Sequence, residues 1–196
     1  MQLNRISVLA VIAAITLVSA ARADDEHREL DAHAHGHGTL NIALEGKRVS
    51  IELEAPGMDL VGFEYQAQTE EQKAAIKRVK NQLARPLALF KLPASAGCSA
   101  SNVKVELEGG DGSDDGGKDI ADAHDDEDDG SAGHTEFHVT YVLDCASPAN
   151  LTSITFDYFK SFAGAEELTV NVVSAKAQNT YEVSRQKPTL DLGGIM

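Results

Sequence analysis

The chain has 196 residues, with 31 acidic against 17 basic side chains and a formal charge of −14 when histidine is neutral. That balance argues against nucleic acid and anionic lipid as partners, because both demand a basic surface, and it suits cations. The length is enough for one domain with a core of its own, or for a domain that carries a long flexible insertion.

Arg5 gives a positive start, Ile6 to Ala21 form an apolar stretch interrupted by Ser7, Thr16 and Ser19, and Ala21-Arg22-Ala23 supplies a small-x-small cleavage pattern. We expect residues 1–23 to be a cleaved signal peptide that sends the mature chain to the periplasm. A retained anchor would want about 20 apolar residues and no such site after them. Losing Arg5 and Arg22 takes the formal charge from −14 to −16 and leaves 173 residues. No later segment is long and apolar enough to span a bilayer, so no membrane insertion is expected after cleavage.

Residues 24–38 hold His27, His33, His35 and His37 but one large apolar side chain, Leu30, and cannot build a core alone. A single α+β domain is expected over residues 39–196. Leu40, Ile42 and Leu44 alternate with polar or small neighbours, Glu45-Gly46-Lys47 makes a turn, and Val49, Ile51 and Leu53 alternate again, the pattern of a hairpin with one buried face. Ala55-Pro56-Gly57-Met58-Asp59 should break the strand; Leu60 to Tyr65 is apolar without a decisive period. Thr69 followed by Glu70, Glu71 and Gln72 reads as a capping box. Ala75, Ile76, Val79, Leu83 and Leu87 follow at spacings of three and four, which predicts one long helix ending near Ala84–Arg85, ahead of Pro86.

Val103, Val105 and Leu107 predict a third strand. Residues 109–130 then hold ten acids, six glycines and one lysine, a composition from which no core can form. A disordered acidic insertion is expected over residues 109–133. Phe137, Val139, Tyr141 and Leu143 alternate up to Cys145. Leu151–Phe156 and Glu167–Ser174 predict two more strands around a short helix or turn at Tyr158–Ala163. Two short edge strands are expected at Tyr181–Val183 and Thr189–Leu192. The fold class that fits is α+β, a mainly antiparallel sheet with one long helix and a disordered acidic insertion.

Cys98 and Cys145 are the two cysteines, and an even pair in an exported chain reads as a disulfide. The rival reading, two thiolate metal ligands, lacks the C-x-x-C spacing of zinc ribbons. The pair flanks the insertion, so the bond would hold the core closed on either side of it.

The seven histidines fall in two groups, His27, His33, His35 and His37 at the mature N-terminus and His124, His134 and His138 in or after the insertion. Zinc takes neutral imidazole, thiolate or carboxylate donors at about 2.0–2.3 Å, so such clustering points to metal. His35 and His37 are the sharpest candidates. On an extended strand they point to one side, about 6.6 Å apart, and His33 extends the set. His134 and His138 would share a strand face but lie about 13 Å apart, too far to share one zinc. One of them should join His35 and His37 across neighbouring strands, and the other should serve a second site. His124 lies beside the run Asp125–Asp129, a weak cation-attracting antenna, although carboxylates by themselves prefer hard cations. Asp111-Gly112-Ser113-Asp114-Asp115-Gly116 has part of the calcium-loop spacing but no preceding helix and no closing Glu, so it is not read as a calcium site. H-E-x-x-H, G-x-S-x-G and phosphate-loop motifs are missing, which argues for a binding protein rather than an enzyme.

Several motifs recur together: Ala34-His35-Gly36-His37-Gly38-Thr39-Leu40, Pro56-Gly57-Met58-Asp59-Leu60-Val61-Gly62-Phe63-Glu64, Thr69-Glu70-Glu71-Gln72, and His134-Thr135-Glu136-Phe137-His138 running to Cys145. In this combination the chain resembles the ZrgA-type zinc-uptake proteins of the periplasm, over nearly the whole mature length. The resemblance implies a soluble protein that binds Zn2+ and assists its acquisition when metal is scarce, with His35, His37, His134 and His138 as candidate ligands. The insertion departs from the family pattern, where it is often richer in histidine. The expected function is a carrier that binds zinc through histidines and passes it to a component of a zinc importer. The alternatives are a buffer that limits zinc or copper toxicity and a zinc-dependent hydrolase. A two-lobed solute-binding subunit of an ABC importer would need more chain than 173 residues.

Overall fold

A computed structural model describes residues 35–109 and 134–195. The expected signal peptide, His27, His33 and the insertion over residues 110–133 with His124 lie outside the described residues.

The predicted hairpin is formed by β1 (His37–Glu45) and β2 (Arg48–Pro56), joined at Gly46, whose φ of 59° is one that a residue without Cβ adopts freely. Leu40, Ile42, Leu44, Val49, Ile51 and Leu53 all face the core. The Pro56-Gly57 break opens a single helical turn, α1 (Gly57–Val61), which ends on Gly62 at φ 84°. α2 (Glu70–Leu83) begins where Thr69 caps it. The Thr69 hydroxyl accepts from the Gln72 N–H at 3.2 Å, and the Gln72 side chain accepts from the Thr69 N–H at 3.0 Å. The helix buries Val79 and Leu83 and gives way at Ala84, before Pro86 starts the short α3 (Pro86–Leu89).

The remaining strands and one short helix follow as β3 (Phe90–Lys91), β4 (Cys98–Glu108), β5 (Glu136–Cys145), β6 (Ser153–Phe156), α4 (Tyr158–Ser161), β7 (Glu167–Ser174), β8 (Gln178–Ser184) and β9 (Thr189–Asp191). One sheet has six strands in the order β4-β5-β2-β1-β7-β8, and a second has three in the order β3-β6-β9. All pairs are antiparallel except β1 with β7, which run parallel with Leu40 beside Val170 and Ile42 beside Val172. The expected antiparallel sheet is thus mixed at its centre. Alternation along a strand gives the buried face but says nothing about the direction of the neighbour.

Cys98 and Cys145 are register partners at the end of the β4–β5 ladder remote from the insertion, and they form the expected disulfide. The buried faces of both sheets join α1, α2 and α3 in one core. At its centre Phe90 meets Phe156 and Tyr141 edge to face, and Tyr158 face to face. The other face of the large sheet is polar. Asn171 donates to Asn41 at 3.0 Å, and Thr180 donates to Asn171 at 2.8 Å across β1, β7 and β8. Among the described residues no helix is long and apolar enough to cross a membrane.

Candidate metal centre

The segment from Pro56 to Glu64, read from the sequence as a strand breaker followed by an apolar piece without a decisive period, carries the acids that two of the histidine-bearing segments contact. Gly57 lies so close to Thr135 that a Cβ there would come within 2.3 Å of the threonine hydroxyl. The Gly57 N–H donates to the Thr135 carbonyl at 2.7 Å, and the Thr135 N–H donates to the Glu64 carbonyl at 2.8 Å. Thr135 is buried by this double stitch, and its neighbour His134 comes to rest beside the Glu64 side chain. On the opposite side, the Gly36 N–H donates to Asp59 Oδ1 at 2.7 Å, and the preceding His35 reaches the Glu64 carboxylate.

Glu64 is therefore shared. His35 Nε2 lies 3.2 Å from its Oε2, and His134 Nδ1 lies 3.0 Å from its Oε1. The carboxylate is largely sheltered at 20% exposure, while the two imidazoles are 56% and 65% exposed. A carboxylate between two imidazoles accepts an N–H from each when the rings are neutral and neutralises charge when they are protonated. Its donor set of two nitrogens and a carboxylate is the kind zinc prefers. Among the described residues, no three histidine, cysteine or carboxylate side chains already meet at the spacing of a closed metal site; the three groups stand at hydrogen-bond distance instead.

The other two candidate histidines have separate partners. β1 reaches back to His37 but not to His35, so the pair does not continue as one extended strand. His37 Nδ1 is 3.4 Å from Glu167 Oε1, its register neighbour on the parallel strand β7. β5 starts at Glu136, so His134 precedes the strand and does not share a strand face with His138. His138 Nε2 lies 2.9 Å from Glu136 Oε2 and 3.6 Å from Glu108 Oε2 on β4, with Glu54 and Glu106 as its cross-strand neighbours. The structure thus brings His35 and His134 together and leaves His37 and His138 to carboxylates of their own. Asp59, 5% exposed, is the buried acid behind this arrangement. Burial pushes its carboxyl above the usual carboxylate range, partly offset by the Gly36 N–H and by His35 and His37.

Glu64 and Asp59 were not singled out from the sequence. The signal available was their setting: an acid directly before Leu60 and another directly after Phe63, both apolar residues that the fold buries.

The description of this chain as a ZrgA family zinc uptake protein comes from a family model that matches residues 32–192, nearly all of the chain after the expected signal peptide. The chain belongs to the ZrgA family of zinc uptake proteins. A comparison with curated proteins gives no match. Membership sets the role in zinc uptake, and all of the geometry above falls inside the matched residues.

Proposed function

We propose that the mature chain is a periplasmic zinc carrier, which collects Zn2+ and hands it to an uptake system. The observation that carries this reading is the Glu64 carboxylate shared by His35 and His134. In the proposed site zinc takes the place of the protons on those two imidazole nitrogens, with Glu64 as the third donor. Three protein ligands leave a fourth position open, and an open position suits a protein that must release its ion. The exposure of both rings lets them close on the metal without disturbing the core.

Two facts of connectivity support the same reading. The segment carrying His27 and His33 joins the described chain at His35, and the insertion carrying His124 joins it again at His134. Gly109 lies against the His134 carbonyl, so the two described residues that flank the insertion meet beside the site. The acids and His124 of the insertion are proposed as a low-affinity feeder. His37 with Glu167, and His138 with Glu136 and Glu108, are proposed as outlying stations for the same cation. The disulfide and the expected signal peptide fit an oxidising compartment outside the cytoplasm. No catalytic role is proposed.

A competitive zinc titration of the metal-free mature protein tests this, run beside Glu64→Gln, the double variant His35→Ala/His134→Ala, and a deletion of residues 110–130. The carrier reading expects both substituted proteins to lose the tight site and the deletion to keep it. Tight binding that survives in the double variant, or disappears with the deletion alone, overturns the core-site assignment.

A further inference from the structure

The peptide unit between the two leading histidines is held from both sides. The Gly36 N–H donates to Asp59 Oδ1 at 2.7 Å, and the Gly36 carbonyl accepts from the N–H groups of Glu166 at 2.8 Å and Glu167 at 2.9 Å. Gly36 itself has φ 87°, in a region that glycine adopts freely and other residues disfavour. Asp59 in turn is fixed from behind. Gly164 presses on it so closely that a Cβ would come within 2.6 Å of the Asp59 carbonyl. The segment around Gly164 is pinned by the Arg185 guanidinium, which donates to the carbonyls of Phe159, Phe162, Ala163 and Ala165.

A buried carboxylate is an expensive way to fill space, and an apolar side chain would fill it better. What Asp59 provides that an apolar residue could not is the acceptor for Gly36. We infer that Asp59 is a positioning residue for zinc binding: by anchoring Gly36 it sets the points at which His35 and His37 leave the backbone, so that one faces Glu64 and the other Glu167. This rests on His35 being a zinc ligand. It extends that reading to a group that never touches the metal, and groups behind metal ligands typically change affinity by about 10- to 100-fold.

The test uses the full mature chain with Asp59→Ala, Asp59→Leu, which keeps the buried volume but removes the acceptor, and Asp59→Asn, whose Oδ1 still accepts from Gly36. Val172→Ala, a core truncation in β7, controls for lost stability, and His35→Ala controls for the ligand reading. Gly36 amide exchange is read by NMR without zinc, and zinc affinity by competition with a chelating fluorophore. Asp59→Ala and Asp59→Leu should accelerate Gly36 exchange and weaken zinc about 10- to 100-fold, while Asp59→Asn stays within about threefold of wild type. Val172→Ala should lower the melting temperature and leave zinc affinity alone. If Asp59→Leu folds, frees the Gly36 amide and still binds zinc as wild type does, the positioning role is refuted. Equal weakening by Val172→Ala also refutes it, because the effect would then be one of global stability. If His35→Ala binds zinc normally, the ligand reading fails first and this inference falls with it, a signature distinct from either of the others.

Discussion

Removing the Cys98–Cys145 cross-link should expose how lightly β4 is held. This strand is one of the two edge strands of the six-stranded sheet, and none of its side chains is fully buried. Its attachment rests on the hydrogen-bonded ladder to β5, on the partly buried Val103, Val105 and Leu107 that pack against the core, and on the disulfide. The two cysteines lie 47 positions apart, and closing a loop of that size removes about 4 kcal/mol of chain entropy from the unfolded state at 25 °C. A Cys98→Ser/Cys145→Ser protein should lose most of that stability while keeping its fold, because the ladder and the core residues of β5 remain. The assay is urea denaturation followed by circular dichroism. With a slope near 2 kcal/mol per molar urea, the midpoint should fall by about 2 M, and the slope itself should rise as the unfolded chain expands. Amide exchange at Val103 and Val105 should speed up more than exchange at Ile42 or Ile51, since β4 opens before the centre of the sheet. A midpoint shift below about 0.5 M, with unchanged slope, would refute the entropic reasoning.

Four other outcomes are expected. Thr69→Ala removes the capping box of α2 and should cost about 1 kcal/mol, read as a melting temperature lower by about 2–4 °C. The buried Tyr141 hydroxyl has no hydrogen-bond partner among the described residues, and burial holds its phenol far above the ordinary range; Tyr141→Phe should leave stability unchanged or raise it, and a loss beyond about 1 kcal/mol would count against this. Because burial raises the Asp59 carboxyl, the folded state binds that proton more tightly than the unfolded state does. Its contribution is complete below the ordinary carboxylate value and lost as pH rises through the raised one, so Asp59→Asn should gain stability relative to wild type between acid and neutral pH. Urea midpoints measured across that range check it, and a gain independent of pH would sink it. Finally, zinc needs neutral imidazole, so affinity should weaken below about pH 6.5, with log Kd approaching a slope of two per pH unit if two histidines ligate; unchanged affinity at about pH 5 would exclude histidine ligation.

Much of this protein was legible before any coordinates. The alternation of Leu40, Ile42 and Leu44 with their neighbours, the capping box at Thr69, the stop at Pro86 and the pairing of two cysteines are local or compositional signals, and each corresponds to an observed feature. The histidine clusters pointed to metal for the same reason: side-chain chemistry is written in the residue itself. What could not be read was which side chains meet. His35 and Glu64 are 29 positions apart and make contact where the Gly36–Asp59 hydrogen bond and the Gly57–Thr135–Glu64 hydrogen bonds bring distant segments together. The parallel pairing of β1 with β7, which sets His37 beside Glu167, is likewise silent in a period of two. Periodicity, caps and turns are settled within a few residues by backbone sterics and hydrogen bonding, so the sequence by itself determined the long helix and most of the strands. The register between distant segments depends on how the buried faces pack, and that packing alone brought two imidazoles to one carboxylate.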